Sequence, residues 1–124
     1  MSKKILVAED SSVIQNLTKR ILSIQNYEIT VVKNGKEVLD ELASKNFDLL
    51  LLDINMPVMD GIECASKVRN HEKEEVKKMP IIAITGNAKN YSMDEFEGMG
   101  INAYLPKPLN YDNMVDVVNK YLSV

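Results

Sequence analysis

Five short runs rich in β-branched residues or leucine alternate along the chain with longer segments of helical period: Ile5 to Ala8, Glu28 to Val32, Leu49 to Leu52, Ile81 to Ile84, and Ala103 to Leu105. Between the first two, Ile14, Leu17, Ile21 and Ile24 mark an apolar stripe, and Ser12 with Gln15 has the spacing of a capping box. The second helix enters at Asn34 and Glu37 and turns Val38, Leu39 and Leu42 inward. The third pairs Asp60 with Glu63 at its start and buries Ile62, Ala65 and Val68. A last helix carries Met114, Val117, Val118 and Tyr121 on one stripe. The fourth is the weak one. Tyr91, Met93, Phe96 and Met99 make a poor stripe, Asn90 and Ser92 compete as caps, and Gly98 and Gly100 follow, so a labile helix is expected.

Strict alternation of strand and helix predicts an α/β fold, a five-stranded parallel sheet with five helices on both faces, because each parallel connection needs a crossover. Strands 1, 3 and 4 are continuous apolar runs, as strands buried on both sides should be. Strand 2 alternates and strand 5 is short, so these two form the edges. With right-handed crossovers the economical order is 2-1-3-4-5, the flavodoxin-like arrangement, whose one reversal lies between strands 1 and 3. A ligand crevice is expected there, outside the carboxyl ends of the strands.

The 124 residues suit one domain spanning 1–124, and with 45% hydrophobic and 27% charged residues disorder is not the expectation. The net charge of -3 supplies no basic field for a phosphate backbone, which argues against direct DNA binding. The lone cysteine, Cys64, excludes an internal disulfide and reads as a small buried apolar residue. Only four apolar residues follow Met-Ser-Lys-Lys before Glu9, too few for a signal peptide, and no run approaches membrane-spanning length, so a cytoplasmic protein away from the membrane is expected. The almost wholly charged stretch from Arg69 to Lys78 reads as a solvated helix end and loop.

Chemistry enters where the strands end. Strand 1 runs into Glu9-Asp10, strand 3 into Asp53, strand 4 into Thr85, and strand 5 leads to Lys107. A parallel sheet gathers all of these at one side. Carboxylates about 4 Å apart repel by roughly 4 kcal/mol at an effective dielectric near 20, so three together demand a compensating cation. A hard divalent ion with oxygen ligands, Mg²⁺ above all, meets that demand, and the lack of nearby His or Cys disfavours zinc. Acids, metal, ammonium and hydroxyl together make a site for phosphoryl transfer. Asp53, on the central strand between the acid pair and the Thr85/Lys107 side, is the candidate nucleophile. The loop from Ile54 to Gly61 can offer backbone N–H groups to phosphoryl oxygens and a carbonyl to the metal.

From Lys4 to Leu122 the sequence resembles the receiver domain of two-component response regulators. Glu9-Asp10 is similar to the family's acidic pair. Asp53, in Asp-Ile-Asn-Met-Pro-Val-Met-Asp-Gly, is similar to its phosphoacceptor, Thr85-Gly86 to its switch hydroxyl with a small neighbour, and Lys107-Pro108 to its lysine with a following cis proline. Tyr104 falls where the family has an aromatic switch residue. The resemblance implies phosphorylation of Asp53 by a histidine kinase or a histidine phosphotransferase. It also implies Mg²⁺ held by Asp10, Asp53 and the Asn55 carbonyl, with Glu9 acting through water. Asn55 and Asn87 would control phosphoryl lifetime, and the face of the fourth helix, fifth strand and last helix would be read by a downstream target protein. Such a protein catalyses only its own phosphorylation and dephosphorylation.

Taken singly, each of these residues has an ordinary structural reading, and only their joint placement carries the function. Asp60 reads as a helix cap, His71 as solvated and too far from the crevice to carry a phosphoryl group, and Met93, Phe96 and Met99 as packing before partner surface. Two rivals share parts of the pattern. A flavodoxin-like electron carrier needs a phosphate-cradling loop after strand 1, where Glu9 and Asp10 would repel the phosphate, and there is no Trp to stack on a flavin. A phosphatase with an aspartyl nucleophile needs a general acid where this chain has Asn55.

Overall fold

The computed structural model describes residues 2–56, 58–86 and 93–122, except the side chains of Met93 and Asp94. The apolar runs become five strands, Lys4–Ala8 (β1), Glu28–Val32 (β2), Leu49–Asp53 (β3), Ile81–Thr85 (β4) and Ala103–Pro106 (β5). They pair in parallel in the order β2-β1-β3-β4-β5, with β2 and β5 at the edges as the patterning requires. Register sets Ile5 beside Leu49, Leu52 beside Ala83 and Thr85 beside Pro106. Successive residues of a strand face opposite ways, so the solid apolar runs feed two cores. Leu6, Leu50, Leu52 and Ile81 pack on one side with Val38, Leu42, Ala65 and Val68. Ile5, Leu49, Leu51, Ile82 and Ile84 pack on the other with Leu22, Met114 and Val118.

Among the described residues six helices, rather than five, flank the sheet: Ser12–Ile24 (α1), Gly35–Ser44 (α2), Gly61–Arg69 (α3), Glu74–Lys77 (α4), Met93–Gly98 (α5) and Tyr111–Leu122 (α6). The unexpected one is α4, inside the charged stretch. Val76 and Met79 are buried there and anchor a single turn, while Lys73 Nζ donates to the Leu42 and Ala43 carbonyls at 3.2 Å each and so closes the C-terminal end of α2. Arg69 is likewise structural, donating to the Gly100 carbonyl at 2.8 Å, the Lys77 carbonyl at 2.6 Å and Asn102 Oδ1 at 3.0 Å. His71 is half-buried and so only partly solvated, and its Nδ1 accepts from the Lys73 N–H.

The caps of α2 and α3 are those the sequence suggests, with Asn34 accepting from the Glu37 N–H and Asp60 from the Glu63 N–H, each at 2.9 Å. The first helix departs from expectation twice. Its cap is Ser11, which accepts from Ile14, rather than Ser12. Its innermost residues are Gln15, Thr18 and Leu22, whereas Leu17 and Ile24 are exposed and Ile14 and Ile21 only half-buried. The helix is rotated from the stripe of its isoleucines because two polar side chains take core positions.

Candidate functional site

At the end of β3 the chain places a carboxylate after four buried leucines, and Asp53 is itself 0% exposed. A buried charge needs partners. Lys107 Nζ lies 3.1 Å from both Asp53 oxygens, and the Asn55 N–H donates to Oδ1 at 3.0 Å. Lys107 is held there by its own backbone, whose N–H donates to the Thr85 carbonyl at 2.9 Å. The Lys107–Pro108 peptide is cis. Thr85, ending β4, is buried at the same end of the sheet.

Across from the lysine stand the two acids that follow β1. Ligand oxygens of Glu9, Asp10 and Asp53 lie within 4.8 Å of one another, with Asp10 exposed and Glu9 buried. Burial, then a hydrogen bond to Asp53 and the Asp53 charge, push the Glu9 carboxyl up to about 8, with a further hydrogen bond from the protonated Glu9 to Asp10 adding to this and Lys107 opposing it. Its Oε2 lies at 3.5 Å from the Ser11 N–H, and its Oε1 is buried without a hydrogen-bond partner. An orphaned buried oxygen beside two further carboxylates is a donor set that suits a hard divalent cation, so the residues fit Mg²⁺. Asp60 stands apart from this cluster as the α3 cap.

Glycines brace the loop between Asp53 and α3. The Gly61 N–H donates to the Ile54 carbonyl at 2.9 Å, and a Cβ on Gly61 would come within 2.7 Å of the Asp53 carbonyl oxygen. The Gly35 N–H reaches the Met59 carbonyl at 3.3 Å. Sequence patterning gave no role to Gly35, although its place directly after a cap residue is the signal of a close approach. The Asn55 side chain is exposed beside the phosphoacceptor candidate. Asn87 lies outside the described residues. Tyr104 is half-buried on β5, its ring centroid 5.3 Å from that of Phe96. A hollow of about 270 Å³, walled by Ile14, Ile84, Pro108, Leu109 and Tyr111, opens beside Glu9 and Lys107. Gln15, the partner assigned to Ser12 by spacing, instead sends its amide under the acid pair.

Comparison with known proteins follows the same lines. The response regulator receiver domain family matches residues 5–119. A hybrid signal transduction histidine kinase I from Dictyostelium discoideum is 37% identical over 122 residues, covering 94% of this chain and 7% of the kinase. The chain therefore spans only a small part of that relative. The chemotaxis response regulator CheY4 of Vibrio cholerae superposes with a TM-score of 0.88 at 27% identity, covering 98% of this chain and all of that one. The receiver domain of sensor histidine kinase PA1611 from Pseudomonas aeruginosa, solved with a magnesium ion coordinated in its active-site cleft, gives 0.88 at 27% identity over the whole of both chains.

Proposed function

Because the chain belongs to the receiver-domain family of two-component response regulators, we propose that it is a phosphorylation-activated switch that takes a phosphoryl group on Asp53. The observation that carries the reading is the arrangement round that carboxylate, with Lys107 Nζ at 3.1 Å from both oxygens and two further acids on the open side. An Asp53 oxygen attacks the phosphorus of a phosphohistidine donor as the phosphorus–nitrogen bond breaks and the imidazole leaves. The Lys107 ammonium, already aimed at the carboxylate, stabilises charge on the transferring oxygens. Asp10, Asp53 and the Asn55 carbonyl, with Glu9 through water, would hold Mg²⁺, which when bound offsets negative charge on the phosphoryl group. In a second, separate step water attacks the phosphorus, the Asp53 oxygen–phosphorus bond breaks, and inorganic phosphate leaves with the carboxylate restored; Asn55 and Asn87 orient or obstruct that water, since an amide is no general base.

A histidine kinase or histidine phosphotransferase is the donor in this reading. Val13 and Leu17, one turn apart on α1 beside the acid pair, stand in solvent and offer it an apolar contact. Output runs through Thr85, which follows the new phosphoryl oxygens, to Tyr104 and the face of α5, β5 and α6, where a downstream target protein docks. A net charge of -3 makes that target a protein rather than DNA. No described helix is long and apolar enough to cross a membrane, and the cytoplasm is the proposed compartment.

Intact-mass spectrometry after incubation with acetyl phosphate tests the assignment. Wild type with Mg²⁺ should gain one phosphoryl group, and neither Asp53→Asn nor metal-free wild type should. A wild type that stays unmodified with Mg²⁺, or a variant labelled equally, would reject it.

A further inference from the structure

Among the described residues the buried polar side chains are Glu9, Gln15, Thr18, Asp53 and Thr85. Three line the phosphoryl site. Gln15 does not, yet its amide touches the site's scaffold: Nε2 donates to the Glu9 carbonyl, and also to the Val32 carbonyl at 3.0 Å. Val32 O receives the Glu9 N–H as well, at 3.0 Å, so the chain leaving β1 is pinned to the end of β2 at both its N–H and its carbonyl.

The carbonyl that Gln15 holds belongs to the peptide joining Glu9 to Asp10. Rotating that plane changes ψ of Glu9 and φ of Asp10 together and swings the two acid side chains relative to each other. We propose that Gln15 is a positioning residue for the cation site: its amide locks the Glu9–Asp10 peptide plane and so fixes the separation of the two carboxylates that face Asp53. The inference rests on reading the cluster as a Mg²⁺ site. The residue type fits the task. A leucine of similar size would leave both carbonyls without this donor, and a glutamate would set a further acceptor against them; the primary amide of Gln supplies two N–H donors and no charge to bury. Burying an amide costs stability unless it is satisfied, and here it is satisfied by the atoms that orient the acids.

The experiment is calorimetric titration of unphosphorylated protein with Mg²⁺ alone, at fixed ionic strength, beside urea unfolding. Gln15→Met keeps length and removes both donors; Thr18→Val changes the next buried polar residue on the same helix face, which makes no hydrogen bond to the loop. Gln15→Met should weaken Mg²⁺ binding about tenfold or more, the usual scale for losing a group that orients a ligand. Thr18→Val should leave the affinity unchanged whatever it does to stability. A folded Gln15→Met that binds Mg²⁺ like wild type would overturn the assignment while leaving the cation site standing. A wild type that binds no Mg²⁺ would reject the site itself and this role with it.

A second measurement keeps wild type intact. Linkage is reciprocal, so if the Gln15 bond favours the cation-binding geometry, saturating Mg²⁺ must strengthen that bond and slow exchange of the Gln15 side-chain amide protons. An exchange rate indifferent to Mg²⁺ would likewise overturn the role.

Discussion

Replacing Glu9 by Gln in metal-free protein isolates the electrostatics of the site. Glu9 is 1% exposed, and burial, then its hydrogen bond and charge contact with Asp53, raise its carboxyl from 4.5 to about 8. The unfolded chain releases this proton near the ordinary value, whereas the folded chain keeps it until the raised one. The unfolded state therefore binds fewer protons between these limits, and stability falls as pH rises through them. One pH unit is worth at most about 1.4 kcal/mol, so between pH 5 and pH 7 this group alone removes about 2 to 3 kcal/mol from the folding free energy. Below the ordinary value both states are protonated and the loss disappears.

Gln has the shape of the protonated acid and does not titrate, so Glu9→Gln should show a stability curve flatter than wild type by that amount over the same interval. Urea unfolding in EDTA at several pH values measures it, and the difference between the two curves removes every group they share. Mg²⁺ must displace the proton from wild-type Glu9, so its apparent affinity should climb with pH towards about 8 in wild type and stay level in the variant. Parallel stability curves would refute the reasoning, because they would mean that the buried carboxyl gives up its proton as readily in the fold as in the unfolded chain.

Other expectations follow from the remaining contacts. Arg69→Met should cost about 2 kcal/mol in urea unfolding through loss of bonds from a charged donor, with labelling of Asp53 by acetyl phosphate unchanged, since Arg69 ties α3 to the Gly100 and Lys77 carbonyls and to Asn102 rather than to the site. Asn87→Leu should slow decay of the phosphoprotein while leaving its formation nearly intact, as read by intact mass over time. Beryllofluoride with Mg²⁺, in which BeF₃⁻ on the carboxylate stands in for the phosphoryl group, should alter hydrogen exchange along α5 and β5. Changes confined to the loops after β1 and β3 would show that the switch does not run through Tyr104.

How much of this was legible in the sequence depended on the phase of each element. A strand buried on both faces, such as the four leucines before Asp53, leaves little doubt where it stops, because the first polar residue after it marks the end of the sheet. Glu9, Asp10, Asp53 and Lys107, each read from where a strand stops, thus stand together in the fold. A helix has no such marker. In α1 the exposed Val13, Leu17 and Ile24 mimic a core stripe while Gln15 and Thr18 are buried, and periodicity weighs only hydrophobicity. The segment from Arg69 to Lys78 misled for the same reason, since the buried Val76 and Met79 hold α4, and Arg69 and Lys73 direct their donors to carbonyls. Spacing placed Ser12 and Gln15 in one capping box, and only the fold could separate them.

The charge count of the site ties its parts together. Three carboxylates face one ammonium, and with Glu9 ionised the surplus is that of a divalent anion. Metal-free, the fold lowers this surplus by leaving a proton on Glu9, whose carboxyl is held above the ordinary range by burial first and by Asp53 after it. A divalent cation would do the same work without the proton, and a phosphoryl group on Asp53 would restore an excess by replacing one charge with nearly two. Lys107 is already committed at 3.1 Å to both Asp53 oxygens. The added oxygens must therefore recruit donors from neighbouring strand ends, and Thr85, whose backbone already holds Lys107, stands at the next one. A phosphoryl group that recruited the Thr85 hydroxyl would pull on the strand beside Tyr104, and an electrostatic excess at Asp53 would then become a change in packing at β5.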